Sequence, residues 1–195
     1  MNLSQISTTQ MAIGIAVAVL VVAGIAIWLF VRKRHTNRTE RLRTQFGSAE
    51  YTRAVKEGGS QNRAEKVLDE RAERVERLHI RPLAAADRAR FVESWSRVQG
   101  RFVDGPGGAV ADADLLLGDV MSTRGYPVSD FEQRAADISV DHPSVLENYR
   151  AAHQSALRQT RGQATTEDLR QAMIHYRTLF EELVSEPEVA RATGA

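Results

Sequence analysis

The sequence contains no cysteine among its 195 residues. Disulfide bonds, thiolate zinc sites, iron–sulfur clusters and cysteine nucleophiles are therefore excluded by composition. It also lacks convincing runs of alternating β-branched residues between turn signals, which is the pattern expected of strands. Apolar side chains recur instead at a spacing of about 3.6 residues. This spacing predicts an all-α fold.

The short motifs by which common enzymes are recognised are also missing. There is no G-x-S-x-G, P-loop, dinucleotide-binding glycine fingerprint or kinase signature. Glu76-x-x-His79 occurs without the second pair and the two further glutamates that a di-iron bundle needs. Asp112, Asp114 and Asp119 lack the loop of a calcium site and are typical of a solvated helix face. We therefore predict no catalytic residue, no cofactor and no metal site.

One long apolar run stands near the start of the sequence, at residues 11–31. Its 21 residues carry no charge, amide or proline. As a helix the run would be about 30 Å long, which matches the hydrocarbon core of a bilayer. A cleavable signal peptide would need basic residues before the run and a small-residue cleavage site after it, and neither is present. The run predicts an uncleaved, single-pass transmembrane helix after a short extracytoplasmic tail at residues 1–10.

The residues that follow the run, at 32–47, predict its orientation. We call the six basic residues of this juxtamembrane stretch the basic segment: Arg32, Lys33, Arg34, Arg38, Arg41 and Arg43. Since no basic residue precedes the run, charge bias places the N-terminus outside and the C-terminal domain in the cytoplasm, at a bacterial cytoplasmic membrane. The basic segment could also contact anionic lipid. Gly14 and Ala18, four residues apart, would allow two such helices to pack as a homodimer.

Charge outside the basic segment argues against nucleic acid as a partner. The overall net charge is +1, but residues 32–43 carry +5, so the remainder of the chain carries −4. A domain of that sign has no overall basic face with which to neutralise phosphates. We therefore expect no nucleic-acid binding and favour a protein partner.

Residues 48–185 predict a soluble bundle of about six helices, and residues 186–195 a disordered tail. Glycine, proline and capping residues divide the bundle at Gly58-Gly59-Ser60, Pro82, residues 104–108, Gly125 and Pro143. The predicted helices are 49–56, 62–78, 85–102, one ending at 124, one that begins with the capping box Ser129–Glu132 and ends near 138, 143–160, and one ending near 184.

The stretch from residue 124 to residue 150, which we call the 124–150 segment, concentrates polar and turn-forming residues. Loops on a rigid scaffold often carry binding function, so this segment is a candidate interaction surface. A structural interpretation competes with it, in which Arg134, Asp137 and Tyr149 form hydrogen bonds across the turns. The candidate surface consists of Arg124, Tyr126, Glu132, Arg134, Asp137, Asp141, His142, Tyr149 and Arg150.

The same stretch resembles a family of small bacterial single-pass membrane proteins that share a short N-terminal anchor and a basic juxtamembrane stretch. The resemblance rests on RGYP at 124–127, EQRAAD at 132–137, VDHP at 140–143, YR at 149–150 and AH at 152–153. It covers about residues 45–182. It implies a bacterial source and the same topology, and it transfers no activity, cofactor or catalytic residue.

Three functions stay open at this point. The favoured one is a non-enzymatic, membrane-tethered interaction module that binds a protein through its helix faces or the 124–150 segment. The second is an enzyme or small-ligand binder with a pocket in the bundle, near His153, His175 and Tyr149. The third is a lipid or envelope-stress sensor that uses the basic segment.

Overall fold

The computed structural model describes residues 8–127 and 129–185, with the side chains of this range except those of 8–19, 27, 30, 31, 34 and 35. All regular structure in this part of the chain is helical, which confirms the predicted all-α bundle for the described residues. The helices are α1 Thr8–Gly58, α2 Gln61–Glu76, α3 Ala85–Arg101, α4 Pro106–Arg124, α5 Phe131–Asp141, α6 Pro143–Thr160 and α7 Thr166–Ser185.

The prediction of a transmembrane helix at residues 11–31, and with it of a single-pass membrane protein, is contradicted. Among the described residues, no helix combines the length and the apolar character that crossing a bilayer requires.

Other predictions for the termini fall outside the described residues. Residues 1–7 of the predicted tail at 1–10 lie outside, as does the predicted tail at 186–195. The side chains of Gly14 and Ala18, on which the predicted homodimer contact depends, and the side chain of Arg34 also lie outside.

The chain divides into two units, Met1–Thr44 and Gln45–Ala195. In the first unit, the described apolar side chains of α1 from Leu20 to Leu29 are exposed, and the Arg32 guanidinium lies 5.2 Å from the centre of the Trp28 ring. In the second unit, Gly47 takes a φ of 77° and interrupts the helical path of α1. The helical segment between Gly47 and Gly58 is therefore a separate short helix and corresponds to the one predicted at 49–56.

Local capping explains where the bundle helices begin and end. The Ser60 hydroxyl accepts a hydrogen bond from the Arg63 backbone N–H and caps α2, as predicted. Helix α5 is capped by Asp130, whose carboxylate accepts from the Gln133 N–H at 2.9 Å, so the cap lies one residue later than the predicted Ser129. Thr165 and Asp168 cap α7 reciprocally.

The apolar core lies between α3, α4, α6 and α7. Trp95 of α3 is buried in this core, and its ring stacks on Phe180 of α7 with centroids 4.7 Å apart. Tyr149 of α6 and Tyr176 of α7 are fully buried beside each other. These aromatic contacts hold α7 between α3 and α6, and the helix faces that they leave open form the groove described below.

Gly125 ends α4. Both its backbone conformation and the lack of room for a side chain favour glycine at this position. Its φ is 103°, and a Cβ built there would lie 2.5 Å from the His79 carbonyl oxygen. Gly162, which follows α6, has a φ of 68° but open space around the same position. A comparison of alanine substitutions at the two glycines therefore separates the effect of backbone strain from the effect of a steric clash with the backbone.

We predict that Gly125→Ala lowers the free energy of unfolding by about 3 kcal/mol, because it adds a steric clash to the strain of a left-handed residue. Gly162→Ala carries the strain alone and should lose about 1 kcal/mol. Urea unfolding followed by circular dichroism measures both. Equal losses in the two variants would show that the contact with His79 does not constrain the turn.

Candidate functional site

Most side chains of the predicted interaction surface lie inside the bundle. Arg124, Tyr126, Asp137, His142, Tyr149 and Arg150 are buried. Arg134 and Asp141 are half-buried, and Glu132 is the exposed member, with 67% of its side chain accessible. The structure brings these residues together in hydrogen-bonded clusters that join helices, rather than on one accessible face.

The first cluster surrounds Glu50 of α1, and we call it the Glu50 cluster. Arg71 of α2 donates to the Glu50 carboxylate at 2.6 Å, and Arg150 of α6 donates to it at 3.3 Å. Arg150 also donates to Glu132 of α5 at 3.1 Å. The Glu50 side chain is 3% exposed. One buried carboxylate thus joins the end of α1 to α2 and α6, and Arg150 extends the cluster to α5.

Asp137 fixes α5 against α2 in the same way. Its carboxylate accepts from Arg74 of α2 at 2.7 Å and from the side chain of Gln133 at 2.9 Å. The neighbouring Ser139 hydroxyl accepts from Arg71 at 3.0 Å. Because an isolated buried carboxylate is strongly unfavourable, Asp137 depends on Arg74 for its place in the interior.

The second cluster centres on Asp114 of α4, and we call it the Asp114 cluster. Asp114 accepts hydrogen bonds from the Tyr176 hydroxyl at 3.2 Å and from Arg134 at 3.3 Å. Arg134 also donates to the Tyr149 oxygen at 3.0 Å. Burial raises the pKa of Tyr149 to about 12. The pKa of Tyr176 is also raised, mainly by burial and to a smaller extent by the charge of Asp114. Both phenols therefore stay protonated at neutral pH.

His153 of α6 borders the Asp114 cluster. Its imidazole stacks on the Phe131 ring with centroids 3.5 Å apart. Burial lowers the pKa of His153, and the nearby Asp114 charge opposes that shift. The Nδ1 atom is buried and has no hydrogen-bond partner within the described structure. His153 is therefore a neutral ring with one ring nitrogen unsatisfied.

The third cluster closes the end of the bundle around Arg124. The Arg124 guanidinium donates to the carbonyl oxygen of Leu183 at 3.1 Å. His142 lies 3.2 Å from Glu182 of α7, and burial lowers the pKa of this histidine. The Tyr126 hydroxyl donates to Asp141 at 3.0 Å. These contacts hold the α4–α5 and α5–α6 turns against α7.

Two of the residues that matter most were not singled out from the sequence. Glu50 stands in a predicted helix with charged residues nearby, and nothing in its spacing indicates that it is buried. Asp114 was predicted to lie on a solvated face, but it is the acceptor at the centre of a cluster. His175 joins no cluster in the described structure, and no three His, Asp or Glu side chains of the described residues are close enough to hold a metal ion.

A long groove runs between α3 and α7 on the outside of the bundle, and we call it the α3–α7 groove. It consists of two adjoining hollows of about 410 and 190 Å³ that share Gln99 and Arg177. Trp95 and Phe180 form its floor. Val92 is 47% exposed and Ile174 is 44% exposed, and both line it. Aliphatic surface is thus open along these two helices, above the buried rings of Trp95 and Phe180.

Comparison with known proteins identifies no relative: no family model, curated protein or solved structure matches the chain. The resemblance of the 124–150 segment to small bacterial membrane proteins therefore stays a prediction, and function must be argued from the geometry.

We predict that Glu50→Gln lowers the free energy of unfolding by about 3 kcal/mol, because it leaves the buried guanidinium groups of Arg71 and Arg150 without their shared carboxylate. Glu57→Gln is the control. It breaks an exposed pair with Arg53 and should change stability by less than about 0.5 kcal/mol. Urea unfolding of both variants tests this, and a Glu50→Gln variant as stable as the control would rule out the structural role of Glu50.

We also predict that the protein loses stability as the pH falls from 7.5 to 5.5. The buried His142, which faces Glu182, Asp141 and Arg124, has a lowered pKa in the folded chain. In the unfolded chain its pKa returns to about 6.5, so below about pH 7 the unfolded state takes up a proton that the folded state does not. Stability is thus present above this range and is lost as the pH falls through it.

The corresponding experiment measures the free energy of unfolding at several pH values for the native chain, His142→Gln and His79→Gln. His142→Gln should reduce the slope between pH 5.5 and 7.5, whereas the exposed His79 should contribute little. An unchanged slope in His142→Gln would contradict the assignment.

Proposed function

We propose that this protein is a helical protein–protein interaction module that binds an amphipathic helix of its partner in the α3–α7 groove. The observation that carries the proposal is the open groove itself, whose floor is the stacked pair Trp95 and Phe180. Apolar grooves between helices are a recurring site for amphipathic helices.

The length of the groove supports a helix as its occupant. Its lining on α3 begins at Arg88 and ends at Phe102, fourteen residues later, which corresponds to about 21 Å. A partner helix of about four turns would match this length. The apolar side chains of this partner helix, at positions i, i+3, i+4 and i+7, would contact the groove side chains, among them Val92 and Ile174.

The charge of the groove supports an acidic partner. Arg88, Arg170 and Arg177 line it, against a single acid, Glu181. Arg177 is paired with Glu181 and Arg170 with Glu167. Arg88 uses its Nε to donate to the Val184 carbonyl oxygen and forms no ion pair with the described residues. We therefore expect Asp or Glu on the partner helix at the end of the groove near Arg88.

The groove takes over the role first assigned to the 124–150 segment. Six of the nine candidate residues in that segment are buried, so they offer little surface. Its arginine and carboxylate groups are already paired with each other or with residues of α2 and α4. Truncating one of them would destabilise the bundle and would thereby impair any interaction indirectly. Variants in the groove can test binding without this complication, because Val92 and Ile174 are half-exposed.

The test places the photo-crosslinking amino acid p-benzoylphenylalanine at position 92, in cells of the source organism, and at position 67 as the matched control. Val67 on α2 has an exposed fraction of 44%, similar to the 47% of Val92, but it does not line the groove. We expect one partner that cross-links at position 92 only, through a segment that has an apolar face and acidic residues. Cross-links to a second copy of the chain, or the same proteins at both positions, would contradict the proposal.

Binding of the cross-linked segment, as a synthetic peptide, then measures the contribution of the groove. Val92→Asp should raise the dissociation constant at least about tenfold, because it places a carboxylate where the apolar face of the peptide contacts the groove. Val67→Asp should change it less than about twofold. A peptide that binds the two variants equally would locate the interaction elsewhere on the protein.

A further inference from the structure

Gln99 lies at the middle of the α3–α7 groove, where its two hollows adjoin. It lines both hollows, and Arg177 does the same from α7. The apolar lining divides between the hollows: Val92, Trp95 and Phe180 belong to the one of about 410 Å³, and Phe102, Met173 and Ile174 to the one of about 190 Å³. Two polar side chains therefore separate two mainly apolar hollows.

The two hollows lie two helical turns apart. Trp95 and Phe102 are seven residues apart on α3, and Met173 and Phe180 are seven residues apart on α7. Seven residues of a helix rise by about 10 Å. A partner helix along the groove would thus place its residues i and i+7 over the hollows. Its residues i+3 and i+4 would lie over the polar pair between them.

The side-chain amide of Gln99 has unused hydrogen-bonding capacity. Gln99 is exposed, and its amide forms no hydrogen bond with the part of the chain that the structure describes. Arg177 differs from it, because its Nε already donates to Glu181 at 2.6 Å. An amide offers two N–H donors and one oxygen acceptor. In the free protein, water can satisfy these groups.

A bound helix would remove this water from Gln99. An apolar residue placed over the amide would leave its donors and its acceptor unpaired, which costs free energy. A polar residue at the same place can replace the lost hydrogen bonds. A single polar contact within an otherwise apolar interface between helices is also known to fix their register.

We infer that Gln99 is a specificity-determining residue of the α3–α7 groove. It selects a partner helix with apolar residues at i and i+7, one for each hollow, and with a polar residue at i+3 or i+4 that forms a hydrogen bond with its amide. This inference rests on the proposed binding of a helix in the groove. It narrows the general apolar pattern of such helices at the two central positions.

The experiment selects partner helices from a designed library. Peptides of about 18 residues, built from alanine, glutamate and lysine so that they are helical, are displayed on phage with positions i, i+3, i+4 and i+7 randomised. The full chain is the target. Peptides that bind Val67→Asp but not Val92→Asp are kept, because their contact lies in the groove. We expect apolar residues at i and i+7, and a polar residue at i+3 or i+4.

Gln99→Leu then tests the role of the amide. Selection on this variant should give apolar residues at both central positions. For two synthetic peptides that differ only in asparagine or leucine at the central position, the native chain should bind the asparagine peptide about fivefold more tightly, and Gln99→Leu should reverse this preference. Gln154→Leu is the matched control, at an exposed glutamine of α6 that does not line the groove, and should keep the native preference.

The possible failures separate the two proposals. Leucine at both central positions in peptides selected on the native chain, or an unchanged preference in Gln99→Leu, would overturn the role of Gln99 and leave the groove as the binding site. A reversed preference in Gln154→Leu would also contradict that role. If no selected peptide loses binding to Val92→Asp, the groove does not bind a helix and both proposals are wrong.

Discussion

Glu50 lies between Arg71 and Arg150, and the arrangement of four helices depends on this one buried carboxylate. Without it, Arg71 would keep only the Ser139 hydroxyl and Arg150 only the exposed Glu132, so the loss of hydration of the two guanidinium groups would be poorly compensated. The end of α1 is thereby joined to α2 and α6, and Arg150 extends the cluster to Glu132 of α5. Buried ion pairs of this kind fix the relative positions of the helices more than they increase the overall free energy of unfolding.

The Asp114 cluster repeats this principle between α4, α5, α6 and α7. Arg134 and Tyr176 both donate to this carboxylate, and Arg134 also donates to the Tyr149 oxygen, so the four side chains form one hydrogen-bonded group. The polar residues of the 124–150 segment are therefore occupied in holding helices together. The apolar surface that stays open between the helices includes Val92 and Ile174 in the α3–α7 groove, where we propose that the partner helix binds.

Periodicity and capping residues predicted the bundle well, because both act within one helix. The turn at Gly125, the Ser60 cap and the aromatic face of α3 follow from neighbouring residues, and even the misplaced α5 cap moved by one position only. The central places of Glu50 and Asp114 in their clusters could not be predicted, since their partners lie on other helices, 20 or more residues away. The transmembrane prediction relied on the uncharged run at 11–31, but among the described residues no helix is both long enough and apolar enough to cross a bilayer.

The most direct measurement is the map of backbone amide shifts when the partner segment cross-linked at position 92 is added to the full chain. If recognition occurs between the helices as proposed, the shifted amides lie on α3 from Arg88 to Phe102 and on α7 from Arg170 to Ser185. The 124–150 segment would then be unaffected, because its side chains hold one another inside the bundle. Shifts concentrated between Phe131 and Arg150, with α3 unchanged, would contradict this account and return the interaction to the surface that the sequence suggested.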